Sequence, residues 1–500
     1  MFFIASLLVT YVLPCAIPIS RNPDVDPRLM KGFGSQLSGI WSSIFYRTNR
    51  LHNQVDSSMS TAAMDIGDLV LQTIMADEAF TPSEPQSVED TGLPVSLIES
   101  LILKRLATSG MLSGRQIARE LCVPFNIVDP LLQSMRTRQI LVHKGSAPLN
   151  DYEYILTEAG RERAAVATKS CAYNGPAPVT LMDYILSAEA QTIRAESPKR
   201  NQLANAFKDI SIDASLFEEL GPAINSGAGL FLYGEPGNGK STIAQRITQC
   251  FGQKVWIPHA IYEDGQIIKF YDAAYHQAEQ NPAAEIAADL SNDPRWLKVT
   301  RPTVMVGGEL TMEALEIRHD PVGNVSEASI QMKSNCGCLL IDDFGRQRVE
   351  PRELLNRWIV PLESNIDFLT LSTGKKIQVP FEQLIIFSTN LEPSDLVDDA
   401  FLRRIPYKIE IADPSVAEFH KLFQIYCKKF ECEYEERAIN NLVEKHFVRQ
   451  KRRLRRCHPR DLLKQIKNYC AYNELQMEIR PEYFDLVVKS YFTAITGEES

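Results

Sequence analysis

No C-x-x-C pair, no internal repeat, no apolar run of membrane-spanning length and no excess of positive charge occur in these 500 residues. Each absence removes a class of protein. The ten cysteines are scattered, which excludes a disulfide framework and a zinc knuckle and points to a reducing compartment. Cys336 and Cys338, one residue apart beside an apolar run, read as small core residues. A net charge of −10 argues against a general nucleic-acid coat while leaving room for a local basic patch. Without a long apolar span the expectation is a cytoplasmic protein that does not engage membranes. The nearest approach is Phe2 to Leu13, almost continuously apolar and followed by Pro14-Cys15-Ala16. It has no preceding Lys or Arg, and about twelve residues are too few to span a bilayer. A tail helix or an over-extended start is therefore read in preference to a secretory signal. What is present is ordinary for a soluble globular chain, 44% hydrophobic and 23% charged, with room for two to four domains.

Residues 1–90 read as poorly structured, ending in the linker-like Thr81-Pro82-Ser83-Glu84-Pro85. From 91 to 168 the pattern is compact. Leu97, Ile98, Leu101, Ile102 and Leu106 form one helical stripe. Ser113 caps a second helix with Ile117, Ala118 and Leu121, and a third carries Ile127, Val128, Leu131, Leu132 and Met135. Two β-like runs follow, Gln139 to His143 and Tyr152 to Leu156. Three helices and a hairpin in that order resemble a winged helix, a small α+β domain. Its third helix offers only Arg136 and Arg138, beside Asp129. The unit holds nine Lys and Arg against seven Asp and Glu, thin for phosphate neutralisation. Protein docking or a structural role is preferred to DNA binding. Residues 169–200 read as a linker, 201–411 as an α/β core and 412–500 as a helical lid.

The densest chemistry lies at Gly234-Glu235-Pro236-Gly237-Asn238-Gly239-Lys240-Ser241, between the apolar strand Leu230 to Tyr233 and a helix from Thr242 to Cys250. Strand, glycine loop and helix are the context of a P-loop. Its backbone N–H groups face phosphates at a helix N-terminus. Lys240 would sit between the β- and γ-phosphates, and Ser241 would ligate Mg²⁺. A carboxylate on a neighbouring strand is needed for the metal, and Leu339-Leu340-Ile341-Asp342-Asp343 supplies it. Asp342 would hold Mg²⁺ and Asp343 would polarise the attacking water. A third run, Leu384 to Ser388, ends at Thr389-Asn390, whose amide can sense the γ-phosphate.

In this order the motifs resemble those of the AAA+ ATPases over residues 201–500. The resemblance implies a parallel P-loop NTPase sheet with helices on both faces and an α-helical lid. It also implies Mg-ATP binding with cleavage of the β–γ phosphoanhydride. Asp399-Ala400-Phe401-Leu402-Arg403-Arg404, preceded by Asp398, looks like the helix end that projects an arginine finger into a neighbouring subunit, with Arg404 the better match and Arg403 the alternate. Cys457-His458-Pro459-Arg460 looks like the sensor 2 segment, with Arg460 reaching the phosphates. A ring homo-oligomer, a hexamer, follows from the resemblance. Ser334 to Gly337 and the hairpin-like Leu369 to Val379 look like the MoxR-type and enhancer-binding branches, and the whole chain is similar to uncharacterised bacterial predicted ATPases. Those families remodel protein or nucleic-acid partners, and a protein partner is the leading expectation. A DNA-binding regulator and a slow ATP-binding switch are the alternatives.

Two departures stand out. Asp343 occupies a position where most of the family has Glu, one methylene longer, so hydrolysis is expected to be slow. Ser241 and Asp342 are 101 residues apart, and the excess is assigned to Tyr262 to Pro302 and the Ala/Glu/Asp-rich stretch 273–294, either a substrate-engaging insertion or decoration. The basic run Lys451-Arg452-Arg453-Leu454-Arg455-Arg456 reads as a solvated loop or partner patch, with a nucleic-acid contact as the alternative.

Overall fold

The computed structural model describes residues 80–492 except 209, 211–213, 253, 279–291 and 397–398. The expectations for the chain before residue 80, for most of 273–294 and for Asp398 lie outside the described residues.

The first unit follows from its caps. Ser113 and Gln116 form a reciprocal capping box that starts the helix Gly114–Leu121. The Asp151 carboxylate also accepts the N–H groups of Gly114 and Arg115, so the hairpin ties down the same helix end. Helices Val95–Ser109, Gly114–Leu121 and Phe125–Thr137 bury Ile98, Leu101, Ile117, Val128 and Leu132. Strand Asp151–Leu156 lies between Leu112–Ser113 and Leu141–Ala147 in an antiparallel sheet. The helix Glu158–Ser170 then runs past residue 168.

Residues 169–200, expected as a linker, are instead part of the packed structure. Val179–Thr180 pairs in parallel with Ala260–Glu263. The helix Leu181–Ala190 buries Leu181, Tyr184 and Ala188, a helical spacing of three and four. The Gly175-to-Pro178 punctuation marks a turn, not a break between domains.

The main sheet is five-stranded and parallel, in the order Thr303–Val306, Cys338–Ile341, Leu384–Ser388, Leu230–Tyr233, Tyr407–Glu410. Both faces are covered, which is why its strands read as continuous apolar runs. Leu230, Leu232, Leu340 and Ile386 pack on Leu220, Ile243 and Ile247 from helices Ala214–Ser226 and Lys240–Ile247. Phe231, Leu339, Ile385 and Phe387 pack on Leu354, Trp358 and Phe401. The fold is therefore α/β with a parallel sheet, as expected.

Strand order corrects one expectation. The strand bearing Asp342 is not the neighbour of the strand before the glycine loop, because Leu384–Ser388 lies between them. The intervening strand ends at the same edge, so Asn390 falls between the two motifs.

The long stretch between Ser241 and Asp342 is also located differently. It runs from Lys254 to Glu327, not only from Tyr262 to Pro302, with Thr303–Val306 returning to the main sheet. Ala260–Glu263, Gln266–Lys269, Val325–Glu327 and Arg318–Asp320 extend from Val179–Thr180 into a second sheet. Its core, including Ile261, Ile268 and Phe270, is shared with Val179 and with Leu369 and Val379 of the hairpin Ile366–Thr370/Lys376–Pro380.

The C-terminal region is helical. Val416–Phe430, Glu436–Leu442, His458–Tyr472 and Pro481–Tyr491 enclose Phe419, Phe423, Leu462, Ile466 and Phe484. A Ser415/Glu418 capping box starts the first of these helices. Among the described residues no helix is long and apolar enough to cross a membrane.

Candidate nucleotide site

At the end of strand Leu230–Tyr233 the chain reverses over Gly234, whose φ is +127°, and enters the helix through Gly239, whose φ is +87°. A side chain at Gly234 would also strike the Ile411 carbonyl, 2.7 Å from where its Cβ would stand. The loop brings Lys240 back over itself. Its ammonium donates to the carbonyls of Gly234 at 2.8 Å and Glu235 at 3.0 Å, and to Asn390 Oδ1 at 2.7 Å. Lys240 is only 6% exposed. Burial holds its pKa below the ordinary lysine value, with the charges of Asp342 and Asp343 pulling the other way.

Ser241 Oγ donates to Asp342 Oδ2 at 2.7 Å. Two adjacent oxygen ligands of an octahedral Mg²⁺ with bonds of 2.0–2.1 Å stand roughly 2.9 Å apart, so this pair fits the metal with little movement. Among the described residues no group of three His, Cys, Asp or Glu side chains is placed to hold an ion. A cation here would complete its shell with phosphate oxygens and water. Asp343 is exposed and in the left-handed region, φ +50°, and its Oδ1 accepts from Asn390 Nδ2 at 3.3 Å. The Asn390 amide thus joins the lysine to the second acid, and this network assigns its orientation. Thr389 Oγ1 donates to the Phe344 carbonyl at 2.8 Å and fixes the two loops together.

These groups open onto one cleft of about 360 Å³, a size suited to a small organic ligand. Pro236 to Thr242, Asp342, Asp343, Asn390 and Arg460 all line it. Arg460 is exposed, and its Nε donates to Asp461 at 2.8 Å. Arg403 and Arg404 are not in this cleft. Arg404 pairs with Glu363 at 2.6 Å beside a second, smaller depression, and Arg403 is exposed.

Gly234 and Glu235 do not line the cleft, and the Glu235 side chain turns to Arg453 at 3.3 Å and Arg455 at 2.9 Å. A carboxylate has no hydrogen to donate to a phosphate and would repel it, whereas these guanidiniums neutralise it. Sequence reasoning also missed Arg456 and the apolar walls Ile210, Leu216, Ile425 and Tyr426. Tyr426 lies on an amphipathic stripe that reads as lid core, and only the packing of the lid turns it towards the cleft.

Residues 415–490 match the model of a family described as a domain of unknown function, DUF8689. No curated protein matches the chain. Among solved structures the chain is similar to NtrX from Brucella abortus in complex with ADP. The identity is 14% and the TM-score 0.36, over 67% of this chain and 66% of that one, just under two thirds of the NtrX chain. It is also similar to two RuvB mutants from Thermotoga maritima. One is 14% identical, with a TM-score of 0.34, over 58% of this chain and 73% of that one. The other is 12% identical, with a TM-score of 0.31, over 60% of this chain and 72% of that one. The family match begins at the Ser415 cap and ends inside the helix Pro481–Tyr491, so it coincides with the helical C-terminal region.

Proposed function

We propose that this chain is an ATPase of the AAA+ type that binds Mg-ATP in the cleft around Lys240 and hydrolyses it. The reading rests above all on one observation: Lys240, Asp343 and Asn390, from three separate motifs, form one hydrogen-bonded chain at the cleft. Lys240 would neutralise the β- and γ-phosphates, and Ser241 and Asp342 would hold Mg²⁺. Asp343 would take a proton from the attacking water as its oxygen bonds the γ-phosphorus and the bond to the β–γ bridging oxygen breaks. Asn390 would orient that water, and Arg460 would meet the phosphates from the lid. Arg404, with Arg403 as the alternate, would serve the site of an adjoining copy in a homo-oligomeric ring, a hexamer in this reading. Its position away from its own cleft agrees with action in trans.

The ATP cycle would drive remodelling of a protein partner, with the winged-helix-like unit at 91–168 as the docking element. Two contacts weigh against a DNA-binding regulator. Arg138 is paired with Glu99, and Arg136 approaches His143 at 3.4 Å, so the third helix offers few uncommitted cations. The slow ATP-binding switch remains as a second reading, favoured by the short carboxylate of Asp343 held back on Asn390.

Phosphate release by the purified chain, with Lys240→Ala as the comparison, tests the proposal. Turnover that disappears in the variant supports the enzyme. A wild-type chain without affinity for adenine nucleotides plus magnesium overturns it.

A further inference from the structure

The basic run 451–456 has no place in the chemistry above, yet all four of its arginines are engaged within the chain. Arg452 lies over the Phe492 ring at 4.5 Å and donates to the His446 carbonyl at 3.4 Å. Arg453 pairs with Glu235, and Arg456 with Glu418 at 3.1 Å. Arg455 bridges two carboxylates, Glu235 of the glycine loop at 2.9 Å and Asp413, which lies between the core and the lid. Arg452, Arg455 and Arg456 are thus held within the chain, while Lys451 and Arg453 remain exposed.

Around Arg455 the contacts converge on one part of the glycine loop. Asn238, 1% exposed, donates through Nδ2 to Asp413 Oδ1 at 2.8 Å and accepts the Arg456 N–H on Oδ1 at 3.2 Å. The Cys457 N–H donates to the Gly237 carbonyl at 2.9 Å. The sulfur of Cys457 lies 2.7 Å from where a Cβ on Gly237 would stand, so the two backbones are in close approach. Every one of these contacts uses a carbonyl or a side chain of the loop. The loop N–H groups, which a phosphate would take, are left out of them.

We infer that Glu235 and Asn238 are positioning residues that clasp the lid to the glycine loop through Arg455 and Asp413, and that this clasp sets how fast nucleotide leaves. The physical basis is charge and geometry. A carboxylate in a loop that wraps a polyphosphate would oppose the ligand unless a cation neutralised it. Arg455 does so while its second arm holds Asp413, which makes the pairing a mechanical link. With the clasp closed, Arg456, Cys457 and Arg460 stay over the cleft. With it open, the lid entrance is free to swing from the loop and the ligand can depart. The inference rests on the ATPase reading only for the identity of the ligand.

The experiment uses the full chain and a fluorescent N-methylanthraniloyl-ATP chased with unlabelled ATP. Arg455→Gln and Glu235→Gln are each expected to speed dissociation by about tenfold, and the double variant no more than the faster single. Arg455→Lys, which keeps one charge but reaches only one carboxylate, should fall between wild type and Arg455→Gln. The association rate should change less than about threefold in all of them, a split that general loosening of the fold would not produce. Single variants within twofold of wild type, or fold-changes that multiply in the double variant, would overturn the clasp. Amide hydrogen exchange without nucleotide supplies the second measurement. Protection of the Cys457 amide should drop in Glu235→Gln, whose exposed site leaves the fold intact. Unchanged protection there overturns the clasp even if the wild-type chain binds no nucleotide, an outcome that would separately overturn the ATPase reading.

Discussion

The ammonium of Lys240 and the side-chain oxygen of Asn390 meet at 2.7 Å across 150 residues of sequence, and the same amide donates to Asp343. In the proposed reaction Asn390 acts on the attacking water more than on the bound ligand. Asn390→Ala should lower kcat by about 10²–10³-fold, the loss seen when a positioned amide is removed. The ATP dissociation constant should move by less than about threefold. Phosphate-release kinetics beside a nucleotide titration check this, and a loss confined to affinity would place Asn390 in binding instead.

Asp343 reaches one methylene less than a glutamate would, about 1.5 Å. Asp343→Glu is expected to raise kcat by up to about a hundredfold, while Asp343→Asn should retain ATP without turnover. Single-turnover measurements separate chemistry from release. A glutamate variant slower than wild type would show that the aspartate geometry is the productive one.

Arg404 and Glu363 form a partly exposed pair, 27% and 55% accessible, so Arg404→Ala should shift the melting temperature little. Its effect on turnover should be about 10³-fold or more if the guanidinium acts in trans. Wild-type chain titrated with the variant should lose activity faster than in proportion to the variant's share. A strictly proportional fall would place Arg404 outside the neighbour's site.

Lys333, 5% exposed at its side chain, holds Asp272 at 2.8 Å and Glu327 at 2.6 Å. Burial raises the pKa of both carboxyls, but the hydrogen bonds and charge of Lys333, with the Ala274 N–H at Asp272 and Arg318 at Glu327, outweigh it, and each sits below its ordinary value. Burial lowers Lys333, and the same two partners more than restore it. The carboxylates therefore contribute stability above about pH 4, and this is lost as pH falls through their depressed values. The contribution of the lysine is present below about pH 10 and is lost as pH rises through its raised value. Lys333→Met should cost roughly 1–3 kcal/mol at neutral pH by taking one partner from each carboxylate, Asp272 keeping the Ala274 N–H and Glu327 keeping Arg318. The gap between wild type and variant in denaturant unfolding should narrow from pH 7 to pH 3. A gap independent of pH would assign the loss to packing alone.

The glycine loop, the apolar strands ending at Asp342 and Asn390, and the amphipathic lid helices were legible because each is a local pattern. A loop needs glycines where φ is positive, a buried strand needs an unbroken apolar run, and a lid helix needs a stripe every three or four residues. Residues 169–200 were misread for the same reason. Gly175-Pro176-Ala177-Pro178 is a strong local signal for a break, while the pairing of Val179 with Ile261 is not local at all.

The residue chemistry of the cleft was therefore set out along the chain, whereas the order of the strands, the second sheet and the partners of the basic run were decided by folding. Glu235 and Arg455 are 220 positions apart, and no periodicity or composition links them. Their pairing exists because the segment Arg453 to Cys457, leading into the helix His458–Tyr472, runs against the loop, and opposite charges brought that close must neutralise each other or leave the site.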